Sequence, residues 1–256
     1  MPAQIIRRMY LYLAAFIGLQ MAAGGISSLI AFFAEYLFEG APIGGGEIFA
    51  LRLGSGIALT LVGLAFWYGH WRFAQRDAKQ TEGQHSALRR LYAYAVLFVA
   101  AMIMLTGGQE TLGILLVGLN EPQAAIRLIG PLATAAIYGL VWFAHWRIFS
   151  RDRNLVEQGP PNATLRRWYL ALTLWISLAM LSFGAGILIH GLLQRFLFGA
   201  SPQPEQLAMP AAALISGLAL WLPHEIWSRR LIRAAGPLRP DELASTLRQV
   251  YTALVI

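Results

Sequence analysis

Residues 88–117 read LRRLYAYAVLFVAAMIMLTGGQETLGILLV. An arginine pair opens this stretch, and an apolar run of about 20 residues, the length that a helix needs to cross a bilayer, follows it. Apolar residues surround the expected helix without a clean polar stripe, as is typical where lipid replaces water. The stretch therefore predicts a membrane-spanning helix.

The start and the end of this unit recur along the chain. The arginine-pair start, LRRLY at Leu88, has counterparts at Ile6, Leu165 and Leu247, with offsets of 82, 77 and 82 residues. A second motif, Trp-x-x-His, ends at His70, His145 and His224. Recurrence in register at such a period indicates a repeat architecture.

Each repeat contains two apolar segments, which predict a helical hairpin. A leader helix starts at the arginine pair, and a return helix ends at the Trp-x-x-His motif. The predicted leader helices are 6–38, 88–119 and 165–198, and the predicted return helices are 48–72, 124–148 and 206–230. Candidate N-caps precede the later leaders at Ser86, Asn162 and Ser245.

The predicted fold is all-α, a polytopic transmembrane helix bundle of tandem parallel two-helix repeats. The repeats divide the chain into domains 1–83, 84–160 and 161–240, and residues 241–256 begin a fourth repeat. Because a helix that stops at residue 256 is too short to cross a bilayer, we expect the natural chain to continue.

The composition excludes several classes of protein. Hydrophobic residues make up 57% of the 256 residues and charged residues 13%, whereas a soluble domain has about 25% charged residues. This argues against a soluble enzyme, a disordered protein and a nucleic-acid-binding protein. Cysteine is absent, and no P-loop, Gly-x-Ser-x-Gly or His-Glu-x-x-His motif occurs. We therefore expect a non-catalytic protein with no metal site.

The basic residues predict the orientation in the membrane. Seventeen of the 20 lie at the hairpin ends that hold the arginine pairs, and Arg52, Arg127 and Arg195 lie at the opposite ends. The positive-inside rule then places the N-terminus in the cytoplasm. The lipid bilayer is the expected partner, with anionic head groups at the cytoplasmic face attracting the basic residues.

Three histidines, His70, His145 and His224, are candidate cofactor ligands, because neutral imidazole can bind the iron of haem or the magnesium of a chlorophyll-type pigment. The alternative is an aromatic belt at the membrane surface. The same belt would include six interfacial anchors, Tyr10, Tyr92, Tyr169, Trp67, Trp142 and Trp221.

Glu110 is an ionisable residue inside a predicted span, next to Gln109. Such a residue is a functional hypothesis by default. Three roles remain open: an ion pair with Arg127 or Arg195, a proton or ion pathway, and a contact to another subunit. At the same side of the membrane, we expect Glu35 and other acidic residues to neutralise Arg52.

Small residues and prolines recur at fixed positions in the repeats. Gly25, Gly107 and Gly184 align in the leader helices, where they would let two backbones approach closely. Gly56, Pro131 and Pro210 align in the return helices, fourteen residues before the histidines, where kinks are expected.

The repeated Arg-Arg-x-Tyr leader and the Trp-x-x-His-Trp return motif resemble those of a bacterial family of tandem two-helix membrane proteins known only as a domain of unknown function. The strongest motifs are Leu88–Tyr92 and Trp142–Arg147. The resemblance covers nearly the whole chain and implies several hairpins in series in a bacterial plasma membrane. It implies no catalytic residue.

These observations favour an accessory or scaffold subunit of a larger membrane complex, respiratory or photosynthetic, which contacts other membrane subunits. Short loops, no soluble module and no continuous polar pathway are the reasons. A small-solute or ion transporter or channel that uses the Glu110 region is the first alternative. A haem- or pigment-binding protein that uses the return-helix histidines is the second.

Overall fold

The computed structural model describes residues 2–39, 45–79, 83, 86–118, 123–155, 160–199, 203–235 and 239–255. Within these ranges the chain is helical and forms no strand. In chain order the helices are α1 (Pro2–Glu39), α2 (Gly45–Asp77), α3 (Ala87–Val117), α4 (Ala124–Leu155), α5 (Pro160–Phe198), α6 (Pro204–Ala234), α7 (Arg239–Leu243) and α8 (Thr246–Val255).

The helices α1 to α6 are each long and apolar enough to cross a membrane. They contain 31 to 39 residues, compared with the about 20 residues that span the hydrocarbon. Their length allows tilting or protrusion. The chain is a multi-pass membrane protein, and the predicted all-α bundle is confirmed.

The return helices run further than the Trp-x-x-His motif. The helix α2 continues from His70 to Asp77, and α4 and α6 continue in the same way to Leu155 and Ala234. The residues after the motif lack glycine and proline, so nothing stops the helix at the aromatic residues. This extension brings further charged side chains onto the ends of the return helices.

Two of the three candidate N-caps lie where expected. Ser86 and Ser245 directly precede α3 and α8, and their carbonyl groups accept the first helical hydrogen bonds. Asn162 instead lies inside α5, which begins two residues earlier at Pro160. Proline suits the first turn of a helix, because the missing N–H would have no partner there.

The chain divides into two compact units. The first comprises Met1–Gly107 and Gln123–Asn162, and the second comprises Gly108–Pro122 and Ala163–Ile256. In the first unit, the core combines small residues with aromatic rings, including Tyr12, Tyr92 and Phe149. The four-domain division made from the repeats stays a prediction.

The aligned glycines bring the two helices of each hairpin into backbone contact. A Cβ added at Gly25 would lie 2.6 Å from the Thr60 nitrogen, and one at Gly107 would lie 2.7 Å from the Pro131 carbonyl oxygen. At Gly184 it would lie 2.6 Å from the Pro210 carbonyl oxygen. At Gly25 it would also lie 3.0 Å from the carbonyl oxygen of Gly56, which aligns with Pro131 and Pro210. The predicted close approach is therefore confirmed in all three hairpins.

Candidate functional site

The tyrosine of each leader helix pairs with the histidine of its own return helix. The phenol oxygen and the imidazole Nε2 are 3.1 Å apart in Tyr10–His70, 3.3 Å apart in Tyr92–His145 and 2.9 Å apart in Tyr169–His224. The sequence singled out both sets of residues but did not join them. We call these three contacts the Tyr–His pairs.

The backbone decides which nitrogen of each imidazole carries the proton. In every pair Nδ1 lies 2.7 or 2.8 Å from the carbonyl oxygen four residues earlier in the return helix. Because a carbonyl oxygen only accepts, Nδ1 must hold the hydrogen. In the neutral imidazole, Nε2 then has a lone pair and accepts the hydrogen bond of the tyrosine hydroxyl.

The glycine contact sets the register that forms a Tyr–His pair. In the second hairpin, fifteen residues separate Tyr92 from Gly107, and fourteen separate Pro131 from His145. At 1.5 Å per residue both distances are about 22 Å, so two antiparallel helices in contact at Gly107 meet again at Tyr92 and His145. The other two hairpins have the same spacings. This equality is the sequence signal that could have predicted the pairing.

The three pairs differ in burial. Tyr92 and His145 are 4% and 3% exposed, and Tyr169 and His224 are 3% and 5% exposed, whereas Tyr10 is 58% exposed. In the first unit the Trp71 ring of the preceding hairpin packs 5.4 Å from Tyr92 and 5.6 Å from His145. The rings of Tyr92 and Tyr169 are therefore surrounded by protein, whereas more than half of the Tyr10 side chain is exposed.

The histidines retain one chemical requirement of a haem or pigment ligand. A metal-bound imidazole commonly donates its other N–H to a backbone carbonyl, as Nδ1 does here. The Nε2 atom is engaged by the tyrosine hydroxyl, so ligation would require the phenol to move away. No cluster of three or more His, Asp or Glu side chains suited to a metal ion occurs among the described residues.

The arginine pairs of two leader helices bind a shared carboxylate. Asp77, 9% exposed at the end of α2, accepts hydrogen bonds from Arg7 at 2.9 Å and Arg8 at 2.7 Å. In the second unit Glu242 accepts from Arg166 at 2.6 Å and Arg167 at 3.0 Å. The two arginine pairs therefore bind carboxylates of the protein itself, whereas the sequence analysis expected anionic lipid head groups to attract them.

The acidic partners come from different places in the repeat. Asp77 lies seven residues after His70, and Asp152 occupies the same position after His145. The side chain of Asp152 lies outside the described residues. In the third repeat this position is Leu231, and Glu242 of α7 binds the arginine pair instead. The Arg-Asp dipeptide after each of the first two histidines is a signal that sequence reasoning missed.

The predicted tryptophan anchors are partly buried. Trp67 packs against the core that contains Tyr92, and Trp142 stacks on Trp146 with ring centroids 5.1 Å apart. The indole N–H of Trp221 donates to the Tyr251 hydroxyl at 2.9 Å. Burial raises the pKa of Tyr251 to about 12, so this phenol stays protonated at physiological pH.

The other polar residues lie at the opposite ends of the hairpins. Arg52 and Glu35 form the expected ion pair, with two hydrogen bonds of 2.5 and 2.9 Å. Glu110 is exposed and Gln109 beside it is partly buried. Among the described residues of the second compact unit, which include Arg195, none forms an ion pair with Glu110.

Comparison with known proteins identifies the family of the chain. The model of the family described as Domain of unknown function (DUF5671) matches residues 8–126 and 167–256. The two matches begin at Arg8 and Arg167, which are equivalent positions of the first and third repeats. No curated protein and no solved structure shows a significant match. Since the matches cover well over half of its length, the chain belongs to the DUF5671 family.

Proposed function

We propose that the chain is a non-catalytic accessory or scaffold subunit of a larger membrane complex, for example a respiratory or photosynthetic one. A Tyr–His hydrogen bond joins the two helices of each hairpin, and carboxylates bind the arginine pairs of the first and third leader helices. Long apolar helix faces stay open. In the most apolar part of α2 only 11% of the residues are buried, compared with 44% in α1. Such faces offer lateral contact to lipid or to another membrane helix.

The observation that carries this proposal is the exposed carboxylate of Glu110. It lies on an apolar helix, two turns before α3 ends at Val117. A charged side chain within a span is unfavourable unless it is paired or reaches water. A helix of another subunit that presents an arginine or lysine to Glu110 would remove this penalty. Gln109 can add a hydrogen bond at the same level.

The proposed location is a bacterial plasma membrane, with the N-terminus and the arginine-pair ends in the cytoplasm. The charge asymmetry supports the orientation, because seventeen basic residues lie on one side and three on the other. Some of the seventeen are neutralised internally. The exposed ones, such as Arg72 and Arg147, are the candidates for contact with anionic head groups.

Purification of the full chain from its native membrane in a mild detergent tests the proposal. We expect defined membrane proteins to co-purify with the wild type and to be lost or reduced with Glu110→Gln. The matched control is Glu205→Gln, which removes an exposed carboxylate from the start of α6. A monodisperse wild-type protein without partners would contradict the scaffold role.

An absorption spectrum of the same sample tests the second alternative from the sequence. Haem and chlorophyll-type pigments absorb visible light through their conjugated rings, so a bound pigment gives the purified protein a visible absorption band. With the Nε2 atoms engaged by tyrosine, we expect no such band. A band that disappears in His145→Ala would establish the cofactor role instead.

A transporter or channel is the second candidate function, and the same exposed Glu110 is the observation that favours it. Ionisable residues inside spans often mark ion or proton pathways. Reconstitution into liposomes separates the two functions, because a transporter needs no partner. Flux that Glu110→Gln abolishes would favour transport, and unchanged flux would remove its main support.

A further inference from the structure

A cleft opens in the first unit between the start of α1 and the end of α2. Its volume is about 390 Å³. It is lined by Arg7, Tyr10, Leu11, Phe73, Arg76 and Asp77. These residues lie in the first turns of one membrane-spanning helix and the last turns of another, where the span meets the lipid head groups.

The charges at the cleft do not balance. Asp77 is shared between Arg7 and Arg8, and Arg7 remains 61% exposed while it makes this contact. The exposed guanidinium of Arg76 lies 5.7 Å from the centre of the Phe73 ring, and no described carboxylate pairs with it. The lining residues Arg7, Arg76 and Asp77 have a net charge of +1, and Arg8, which binds Asp77 from outside the lining, raises it to +2. This charge attracts an anion.

One wall of the cleft is apolar. Leu11 is partly buried, and the rings of Tyr10 and Phe73 are 58% and 57% exposed. The Tyr10 hydroxyl donates its hydrogen to His70, so the phenol supplies a ring surface and no donor for a bound anion. A charged end beside an apolar wall matches a lipid better than a free inorganic anion.

We propose that this cleft binds an anionic phospholipid, with the head-group phosphate at Arg7 and Arg76 and the upper acyl chain along Leu11 and Phe73. Guanidinium groups are suited to phosphate oxygens. A lipid that also carries a quaternary ammonium group brings a positive charge toward the net +2 and binds less well. The site requires no partner subunit and so stands apart from the scaffold role.

The second repeat provides an internal comparison. Arg89 and Arg90 are 2% exposed and Tyr92 is 4% exposed, so the equivalent surface is closed. Arg151 of that repeat aligns with Arg76, six residues after the histidine, and is also exposed. Substitution of Arg151 removes one positive charge from the same end of the hairpins and leaves the residues that line the cleft unchanged.

The experiment measures lipid binding to the detergent-solubilised full chain by native mass spectrometry. Phosphatidylglycerol, phosphatidylcholine and soluble glycerol 3-phosphate are the probes. We expect phosphatidylglycerol to bind the wild type best and to bind about fivefold less tightly to Arg76→Gln, the loss of one basic contact at a membrane surface. Arg76→Lys should retain most of the binding, and Arg151→Gln should retain all of it.

Three results would overturn the proposal. Equal weakening by Arg76→Gln and Arg151→Gln would show general attraction to the basic surface. Equal binding of phosphatidylcholine would remove the requirement for an anionic lipid. Displacement of phosphatidylglycerol by glycerol 3-phosphate at equal concentration would assign the cleft to a soluble phosphate. Matching melting temperatures of the three variants show that each is folded.

Discussion

At the scale of single residues, the Tyr–His pairs give a joint role to the two motifs that recur within this chain. The arginine-pair leader ends in a tyrosine and the return motif ends in a histidine, and each had a separate interpretation in the sequence. In the structure the tyrosine and the histidine form one hydrogen bond that joins the leader helix to the return helix of the same hairpin. Hydrogen bonds between membrane helices contribute about 0.6 kcal/mol on average, up to about 2.

The buried pair of the third hairpin provides the first residue-scale prediction. Tyr169→Phe keeps the ring but removes the hydroxyl group that donates a hydrogen bond to His224, which is 5% exposed. We expect it to lower the free energy of unfolding in detergent by about 1–2 kcal/mol, because the buried Nε2 of His224 loses the hydroxyl group that donates to it. Tyr10→Phe is the control and should lose less, since water can reach that pair. Equal losses would contradict the role of burial.

At the scale of the helices, small residues decide how a hairpin closes. Where two helices meet at a glycine, their backbones come into direct van der Waals contact. In a membrane such close packing stabilises helix association, because no hydrophobic force acts between helices surrounded by lipid. The first hairpin has a second such contact, since a Cβ on Gly18 would lie 2.5 Å from the Trp67 nitrogen. The prolines do not interrupt α4 or α6, which run through Pro131 and Pro210.

Two glycines of α5 test the backbone contact against each other. A Cβ on Gly184 would lie 2.6 Å from the Pro210 carbonyl oxygen, whereas one on Gly186 has no neighbour within 4 Å. We expect Gly184→Ala to destabilise the protein by about 1–3 kcal/mol through overpacking. Gly186→Ala should be neutral or should stabilise by up to about 1 kcal/mol through helix propensity. Thermal unfolding in detergent gives both values, and the reverse order would contradict the packing.

At the scale of the whole molecule, the basic residues serve two purposes. Several of them fold back onto acidic partners, as Arg8 does onto Asp77 and Arg166 does onto Glu242. Asp77 joins the two helices of the first hairpin, and Glu242 joins α7 to the start of α5. Each carboxylate neutralises part of the basic charge there. Others, including Arg76, remain exposed, and the proposed lipid contact depends on them.

The proposed orientation is tested with single cysteines, because the chain contains none. Lys79→Cys follows α2 at the basic end of its hairpin, and Gln203→Cys precedes α6 at the opposite end of its own hairpin. With an impermeant maleimide on intact cells, we expect Gln203→Cys to react and Lys79→Cys to react only after permeabilisation. Labelling of both from the same side would contradict the topology.

Much of the fold followed from the sequence. Apolar segments of about 30 residues and the recurring starts at Leu88 and Leu165 predicted all six spans, with ends that differ from the observed ones by at most seven residues. The ends were less accurate, since the aromatic motif at His70 resembles a stop and α2 continues to Asp77. Helix ends depend on local polar contacts that a hydropathy pattern does not contain.

The amino-acid sequence by itself determined the membrane-spanning hairpins, because hydrocarbon accepts a long apolar segment only as a helix that satisfies its own backbone. Tertiary structure alone decided which side chains meet. Two residues sixty positions apart, such as Tyr10 and His70, come together only when the packing of two helices sets their register. The same packing buries two Tyr–His pairs and leaves the third open beside the cleft at Arg76.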